Sequence, residues 1–547
     1  VVPSDLTTLF GQAYADENDR RGARILSNSW GTTNAYGYAE ASRAIDKFSF
    51  EHPDALILFA MGNAGVDKSP QDGVVDARSL SIQASAKNCL SVGASENERT
   101  SGGNSEKTWG VSRNFMADPI KSDYVSRAAD KIHQGMAAFS GRGPCSDGRI
   151  KPDVVAPGTD VLSLRSQLAA RSWESWYDDD GYYSYDSGTS MATPLVAGSC
   201  ALVRQWLVER KGIANPDGAT IKALLLAGAK SLAPGQYGTG AFQEIPDAYP
   251  NNVEGWGQVN LGNAVANENG LDVYDAQVIQ DQEVQEFKFC VRSAGRGLTV
   301  VMAYADAPAG LASAKQLVDD LDLLVVSPSG RRFYPNSMSG PDDVNNVEGV
   351  RIPAEEVELG VYAVTVTGTS IPEPMDESLT GGLPDALRYS LVVNGAERMK
   401  EETSVLFVDA KGGAANIDVT NGVAWTVSTD VDWIALSSTS FSGSGKYPFS
   451  VDENFHWDER SGLIKMTSAS CARTVMVVQG TRAPSDHAFF HSYEGASGCY
   501  TNASGQIVRG RSSASGLYDF LLDGEVPSDS MVIVDYSYSH SMSPDLG

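Results

Sequence analysis

The chain has 547 residues, with 42 Lys and Arg against 69 Asp and Glu, so its formal net charge is −27. This acidity excludes a protein whose main task is to bind nucleic acid, because such binding depends on cationic groups that displace phosphate counterions. The length exceeds what one hydrophobic core fills and predicts several domains. No apolar run of about 18 residues is present that could span a membrane.

Up to about residue 265, short apolar strands alternate with helical patterns. Strands are predicted over residues 23–31, 55–61 and 89–94, and a helix over residues 39–52. Strands that are apolar throughout and separated by helices are typical of a parallel sheet covered on both faces. We therefore predict an α/β parallel-sheet domain over residues 1–264.

The string SGTSMATPLVAG at residues 187–198 carries the clearest chemical signal. Gly188 permits a tight turn, Ser190 follows it, and an apolar helix continues beyond. A nucleophile at a helix N-terminus lies beside unpaired backbone N–H groups and the positive end of the helix dipole. Pro194 is expected in the first turn, where a residue has no intrahelical N–H bond to lose. The ordinary alternative is a serine that caps a core helix.

This string resembles the nucleophile motif of the subtilisin-like serine proteases, the subtilases. Residues 59–65, FAMGNAG, follow a predicted buried strand and are similar to the oxyanion-hole segment of that family. The resemblance implies that Ser190 is the catalytic nucleophile. It also implies that the Asn63 amide and the Ser190 N–H donate to the carbonyl oxygen on which negative charge develops.

Residues 28–31, NSWG, are similar to the edge segment that pairs with the substrate backbone and walls the primary specificity pocket. The resemblance implies a substrate-binding role that is shared by four residues, Ser29, Trp30, Gly31 and Gly62.

The chain departs from the family pattern in its triad. Subtilases place an Asp and then a His before the segment that ends here at Gly31, yet no Asp-Thr-Gly and no His-Gly-Thr-His precedes it. His52 and His133, the two histidines of the domain, are predicted to lie in solvated loops. We therefore expect the triad Asp and His upstream of Val1, an incomplete domain, and no activity from residues 1–547 alone.

Residues 265–398 predict an all-β sandwich, because strand patterns replace helices there, for example over 298–304 and 362–368. The segment resembles the sandwich that follows the protease domain in some alkaline subtilases and the P-domain of proprotein convertases. Asp320 and Asp322 are candidate ligands for a structural Ca²⁺, since carboxylate oxygens suit that hard cation. The alternative is a pair of solvated acids at a strand edge.

Residues 399–482 resemble a BACON-type β-sandwich, with Trp425 and the run Asp432-Trp433-Ile434 in the expected order. Such domains are suspected of binding glycans or mucins. The alternative is a spacer whose tryptophans form its core. Residues 483–547 are an uncertain, partial segment. The six cysteines have no CxxC spacing, so one or two disulfides or buried free thiols are both open.

The sequence thus predicts a secreted or cell-surface serine endopeptidase that acts on protein or peptide substrates. The alternative is a non-catalytic adhesion or glycan-binding protein that retains a decayed protease scaffold. The presence of both Ser190 and Asn63 favours the enzyme.

Overall fold

A computed structural model describes residues 6–480 with short gaps, and six strands beyond them. The gaps are residues 16–21, 33–35, 128–133, 167–181, 266–269, 292–293, 399–401, 420–423, 443–444, 456–457 and 469–471. The chain forms two compact units. The first comprises residues 1–358 and 362–398, and the second comprises residues 359–361 and 399–547.

The first unit begins with a mixed α/β region. Its helices and strands are α1 (Leu6–Tyr14), β1 (Ile25–Asn28), α2 (Glu40–Glu51), β2 (Leu56–Ala60), β3 (Leu90–Ser95), α3 (Trp109–Arg113), β4 (Val154–Pro157), β5 (Val161–Leu164), β6 (Tyr183–Asp186), α4 (Thr189–Lys211), α5 (Gly218–Gly228) and α6 (Leu261–Val265). Strands β1 to β4 pair in parallel in chain order. The predicted parallel-sheet α/β fold is confirmed.

Helix α4 packs against this sheet through one apolar face. Ala192, Val196, Cys200, Val203 and Leu207 are buried at intervals of three and four residues, the spacing that places side chains on one side of a helix. Strands β2 and β3 are buried along their whole length, which is why their sequences are continuous apolar runs rather than alternating ones.

Residues 271–398 complete the first unit as a two-sheet β-sandwich. Its strands are β7 (Leu271–Gln280), β8 (Val284–Val291), β9 (Leu298–Tyr304), β10 (Asp320–Val326), β11 (Arg332–Phe333), β12 (Val347–Ile352), β13 (Gly360–Ser370), β14 (Ala386–Asn394) and β15 (Glu397–Arg398). One sheet has the order β11-β10-β13-β8-β15 and the other β12-β9-β14-β7. This region confirms the predicted fold class, in which all-β structure follows the α/β domain.

The sandwich is tied to the α/β region by buried polar contacts. Lys87, which is 0% exposed, forms an ion pair with Asp306 of the sandwich. Arg388 Nη2 donates to Asp217 Oδ1 at 2.6 Å across the same boundary. Trp256 is buried against Gly349, where even a Cβ would lie 2.0 Å from the indole.

The second unit is built from short antiparallel and parallel strand pairs. Its strands are β16 (Glu402–Val408), β17 (Gly413–Val419), β18 (Ala424–Thr429), β19 (Ile434–Leu436), β20 (Ser440–Ser442), β21 (Gly445–Val451), β22 (Arg460–Ser468), β23 (Ala472–Gln479), β24 (Phe490–His491), β25 (Cys499–Thr501), β26 (Ile507–Arg509), β27 (Arg511–Ser512), β28 (Leu517–Asp519) and β29 (Val532–Val534). Trp425 is buried in its core with Tyr447 and Ile464.

The described cysteines form no disulfide. Cys89, Cys145, Cys200 and Cys290 are buried free thiols, whereas the side chains of Cys471 and Cys499 lie outside the described part. Among the described residues, no helix combines the length and the apolar character that crossing a bilayer requires.

Candidate active site

The candidate nucleophile lies where the carboxyl ends of the parallel strands meet. Ser29 follows β1, Asn63 lies three residues after β2, and Gly158 follows β4. The Gly188 N–H, at the start of α4, donates to the Gly158 carbonyl at 2.8 Å. The helix N-terminus that carries Ser190 is therefore fixed at the edge of the sheet where α/β folds place their ligands.

The orientation of the Asn63 side chain is set by Thr189. The Thr189 N–H and hydroxyl both donate to Asn63 Oδ1, at 2.8 and 2.9 Å. The Gly62 N–H in turn donates to Thr189 Oγ1 at 3.1 Å. Because the amide oxygen is held on this side, Asn63 Nδ2 is left as the donor that can act on a bound group. The sequence reasoning missed Thr189, although it stands beside Ser190 in the motif.

Gly188 keeps open the space beside these donors. A Cβ at Gly188 would lie 3.2 Å from Asn63 Nδ2 and 3.5 Å from the Ser190 backbone nitrogen. Both donors predicted from the sequence therefore border one small region, and a side chain at Gly188 would occupy it. Two N–H donors on one oxygen are what stabilises a tetrahedral acyl-transfer intermediate.

Ser29 and Ser190 make reciprocal hydrogen bonds. Ser190 Oγ donates to the Ser29 carbonyl at 3.1 Å, and Ser29 Oγ donates to the Ser190 carbonyl at 2.8 Å. The Ser190 hydroxyl thus donates its hydrogen bond to a backbone carbonyl and not to a general base. Its neighbour Met191 is half-buried at the helix start.

The two domain histidines do not supply that base within the described residues. His52 caps the C-terminus of α2, where its ring stacks on Phe48 at 4.3 Å and its Nδ1 lies 3.2 Å from the Phe48 carbonyl. The sequence predicted that His52 lies in a solvated loop. This prediction is wrong, because the ring is half-buried against α2. His133 lies outside the described residues.

The predicted substrate-edge segment is anchored on both sides of Ser29. Buried Asn28 donates from Nδ2 to the Leu26 and Leu58 carbonyls at 3.1 and 3.2 Å. The Trp30 ring packs edge-on against Phe59 with centroids 5.1 Å apart. Trp30 therefore contributes at least part of its surface to packing, while Ser29 stays exposed.

The two glycines predicted to bind substrate both lie against Ser81. A Cβ at Gly31 would lie 3.1 Å from the Ser81 Cβ, and one at Gly62 would lie 3.7 Å from it. Gly62 has φ +105°, a conformation that L side chains rarely adopt. The structure thus brings Ser29, Gly62, Asn63 and Ser190 together and places Gly31 beside them.

Pro194 corrects the sequence prediction. Helix α4 begins at Thr189, so Pro194 is the sixth helical residue and lies inside the helix, not in its first turn. An α-helical N–H bonds the carbonyl four residues earlier. Pro194 has no N–H, so the helix cannot supply this bond to the Ser190 carbonyl.

Asp320 and Asp322 are half-buried on β10 rather than solvated, and each has an Oδ1 atom without a hydrogen-bond partner. Burial raises the pKa of Asp320 to about 6, and neighbouring Asp322 raises it as well. In the part of the chain that the structure describes, no group of three or more His, Cys, Asp or Glu side chains is arranged to hold a metal ion. The calcium site stays a prediction.

Comparison with known families agrees with this geometry. Residues 4–257 match the subtilase family, and residues 397–482 match the viral BACON domain. The chain therefore contains a subtilase domain followed by a BACON domain, as the sequence resemblance predicts.

Individual relatives are proteases of several kinds. The chain is 26% identical over 477 residues to the serine protease/ABC transporter B family protein tagB of Dictyostelium discoideum, a match that covers 68% of this chain and 24% of that protein. It is 30% identical over 241 residues to the serine protease AprX of Bacillus subtilis, covering 42% of this chain and 50% of AprX. It is also 30% identical over 158 residues to the minor extracellular protease Vpr of the same species, covering 28% and 16%. The chain thus spans about a quarter of the length of the tagB protein.

Among solved structures, the chain is similar to the CspB protease of Clostridium perfringens. The identity is 28%, the TM-score is 0.21, and the match covers 34% of this chain and 28% of that one. A match to a Bacteroides ovatus GH5 xyloglucanase has a TM-score of 0.15 and covers 16% and 19%. TM-scores of this size carry no weight for fold or function.

Proposed function

We propose that this protein is a serine endopeptidase that hydrolyses peptide bonds through Ser190. The observation that carries the proposal is the arrangement of Asn63, whose amide oxygen is held by Thr189 while its nitrogen borders the same space as the Ser190 N–H. A serine hydroxyl beside two N–H donors that border one space is the arrangement that acyl transfer requires. The subtilase domain supports the same chemistry.

In this proposal Ser190 Oγ attacks the substrate carbonyl carbon while a general base takes its proton. Asn63 Nδ2 and the Ser190 N–H stabilise the resulting oxyanion. The base and the carboxylate that orients it come from polypeptide outside the described residues, since His52 is committed to α2. The chain contributes the nucleophile, the oxyanion donors and the substrate wall formed by Ser29, Trp30, Gly31 and Gly62.

The test is hydrolysis of a fluorogenic peptide library by the protein together with the polypeptide that carries the general base and its carboxylate, as wild type and as Ser190→Ala. We expect turnover that is lost in Ser190→Ala, with Ser199→Ala on the same helix as the control that keeps it. Turnover equal in wild type and Ser190→Ala contradicts the proposal. The absence of turnover from a protein that carries a triad His and Asp favours the alternative, a non-catalytic binding protein.

We also propose that the protein acts outside the cell. The name of one relative, the minor extracellular protease Vpr, supports this location. Detection of the protein in the culture medium of its source cells, with a cytoplasmic marker absent, is the matching measurement.

Calcium binding by Asp320 and Asp322 is a further proposal. The two partnerless Oδ1 atoms support it, because a buried carboxylate oxygen needs a donor or a cation. Two carboxylates need additional oxygen ligands to complete a Ca²⁺ site. Isothermal titration with CaCl₂ tests it: binding should vanish in the Asp320→Asn/Asp322→Asn double variant and persist in Asp376→Asn, an exposed acid of the same sandwich. Equal heats in all three proteins contradict it.

Glycan or mucin binding by the BACON domain is another proposal, and its alternative is that the domain is a spacer. Trp425 is buried in the core of that domain, which supports the spacer role more than a binding role. Binding of the whole chain to a glycan or mucin array decides between glycan binding and a spacer role for residues 397–482.

A further inference from the structure

We infer that Ser29 is a positioning residue that replaces the helix hydrogen bond lost at Pro194 and thereby holds the peptide unit of the nucleophile. This inference deepens the proposed function and rests on it, because it assigns the Ser29 hydroxyl to the nucleophile helix rather than to the substrate.

The first step concerns the helix. The fourth residue after Ser190 is Pro194, which lies inside α4 and has no N–H to donate. Ser190 is the second residue of α4, and its carbonyl therefore has no backbone N–H donor at position 194. A carbonyl without a donor leaves the peptide unit that follows the nucleophile less constrained.

The second step concerns the replacement donor. Ser29 Oγ lies 2.8 Å from the Ser190 carbonyl oxygen and donates to it across 161 positions of sequence. Ser29 itself is held in place because Asn28 is bonded to the Leu58 carbonyl and Trp30 packs on Phe59. The hydroxyl thus ties the nucleophile helix to a segment that the sheet already fixes.

The third step concerns the nucleophile. Ser190 Oγ donates to the Ser29 carbonyl at 3.1 Å, so the same residue that fixes the helix also accepts the hydrogen bond of the nucleophile. The two bonds form a closed ring between two residues, and they set both the position of the Ser190 backbone and the direction of its hydroxyl. A small displacement of a reacting group is enough to slow catalysis strongly.

A double-mutant cycle tests the link, because Pro194→Ala returns an N–H to the helix. Ser29→Ala is expected to lower the folding equilibrium constant about fivefold in the wild-type background, the effect of one lost hydrogen bond. In the Pro194→Ala background, Ser29→Ala should lower the folding equilibrium constant by less than about twofold, because the restored backbone N–H can donate to the Ser190 carbonyl. Ser27→Ala, an exposed serine two residues earlier on β1, is the control and should show no coupling to Pro194.

The folding cycle uses urea unfolding of the chain and does not depend on activity, so its failure and the failure of the proposed endopeptidase function are separate results. An equal cost of Ser29→Ala in both backgrounds overturns the inference. If Pro194→Ala does not fold, Ser29→Thr decides, because it restores a hydroxyl. A loss in Ser29→Thr as large as that in Ser29→Ala overturns the inference.

Where hydrolysis through Ser190 is measured, the positioning role has its own signature. Ser29→Ala should lower kcat about tenfold and change KM less than about twofold, because the nucleophile is displaced while the substrate wall remains. A rise in KM at constant kcat would instead assign the hydroxyl to substrate binding and overturn the inference.

Discussion

Two regions of the first unit hold polar groups in opposite ways. The nucleophile edge, formed by Ser29, Asn63, Thr189 and Ser190, is held by neutral hydrogen bonds; Ser29 and Asn63 are exposed and Ser190 is half-buried, whereas Thr189 is buried. The domain junction brings acidic and basic side chains into direct contact, Lys87 with Asp306 and Arg388 with Asp217; all are buried except Arg388, which is half-buried.

The difference follows from what each region does. A reactive hydroxyl must remain accessible, so its neighbours are fixed by hydrogen bonds between neutral groups instead of by buried charges. The junction has no such requirement, and it excludes water from charges that are strongly coupled at low dielectric. Changes at the junction should therefore act mainly on stability, and changes at the nucleophile edge mainly on activity.

The largest effect is expected at the junction from Asp306→Asn. The change removes the ion-pair partner of the Lys87 ammonium, whose side chain is 0% exposed, and we expect it to lower the free energy of unfolding by about 3–5 kcal/mol. Urea unfolding measures the loss. Asp343→Asn is the matched control, because its ion pair with Lys315 is mostly exposed at 3.6 Å, and it should cost less than about 1 kcal/mol. Equal losses in the two variants would remove the contrast between buried and exposed pairs.

Asn63→Leu is the corresponding change at the nucleophile edge. It removes one oxyanion donor, and we expect kcat to fall about 10²–10³-fold, the effect that the same loss has in subtilisin. The change also leaves the N–H and hydroxyl of buried Thr189 without their acceptor, so the free energy of unfolding should fall by about 1–3 kcal/mol, less than at the junction. Steady-state kinetics, measured with the polypeptide that carries the general base present, and urea unfolding of the same preparation give both values. A loss of stability without a loss of kcat would reverse the assignment.

The smallest effect, a change of slope with pH, returns to the junction. Burial raises the pKa of Asp217 to about 7, Arg388 lowers it, and Asp275 and Asp54 raise it. The folded protein therefore holds this proton more tightly than the unfolded chain, and the stability it contributes is lost as the pH rises from about 4 to about 7. In the wild type, this proton makes the free energy of unfolding fall by up to about 1.4 kcal/mol for each pH unit. Asp217→Asn should remove this part of the slope, because the amide does not titrate.

The measurement is urea unfolding at about pH 4, 5, 6, 7 and 8, a range that spans the titration, for the wild type, for Asp217→Asn and for Glu355→Gln, which removes an exposed acid of the sandwich. The decline with pH should be shallower in Asp217→Asn than in the wild type and unchanged in Glu355→Gln. Identical slopes in all three proteins contradict a proton held at Asp217.

Much of the fold followed from local pattern. Helix α2 and strands β2, β3 and β9 lie where the sequence places them, because the periodicity of apolar residues reports which faces are buried. Ser190 was recognised because the turn, the nucleophile and the helix start are contiguous in sequence, and Asn63 because its segment directly follows an apolar strand.

What the sequence could not decide depends on contacts between distant segments. Thr189 orients Asn63 across 126 positions, and Ser29 serves the Ser190 carbonyl across 161. Pro194 was misplaced because the first helical residue is fixed by the packing of the turn before it, not by composition. The sequence by itself thus determined the α/β and all-β regions and the residue types of the candidate site. Only the tertiary structure decided which backbone groups those residues hold, because hydrogen bonds of this kind depend on where the strand ends meet.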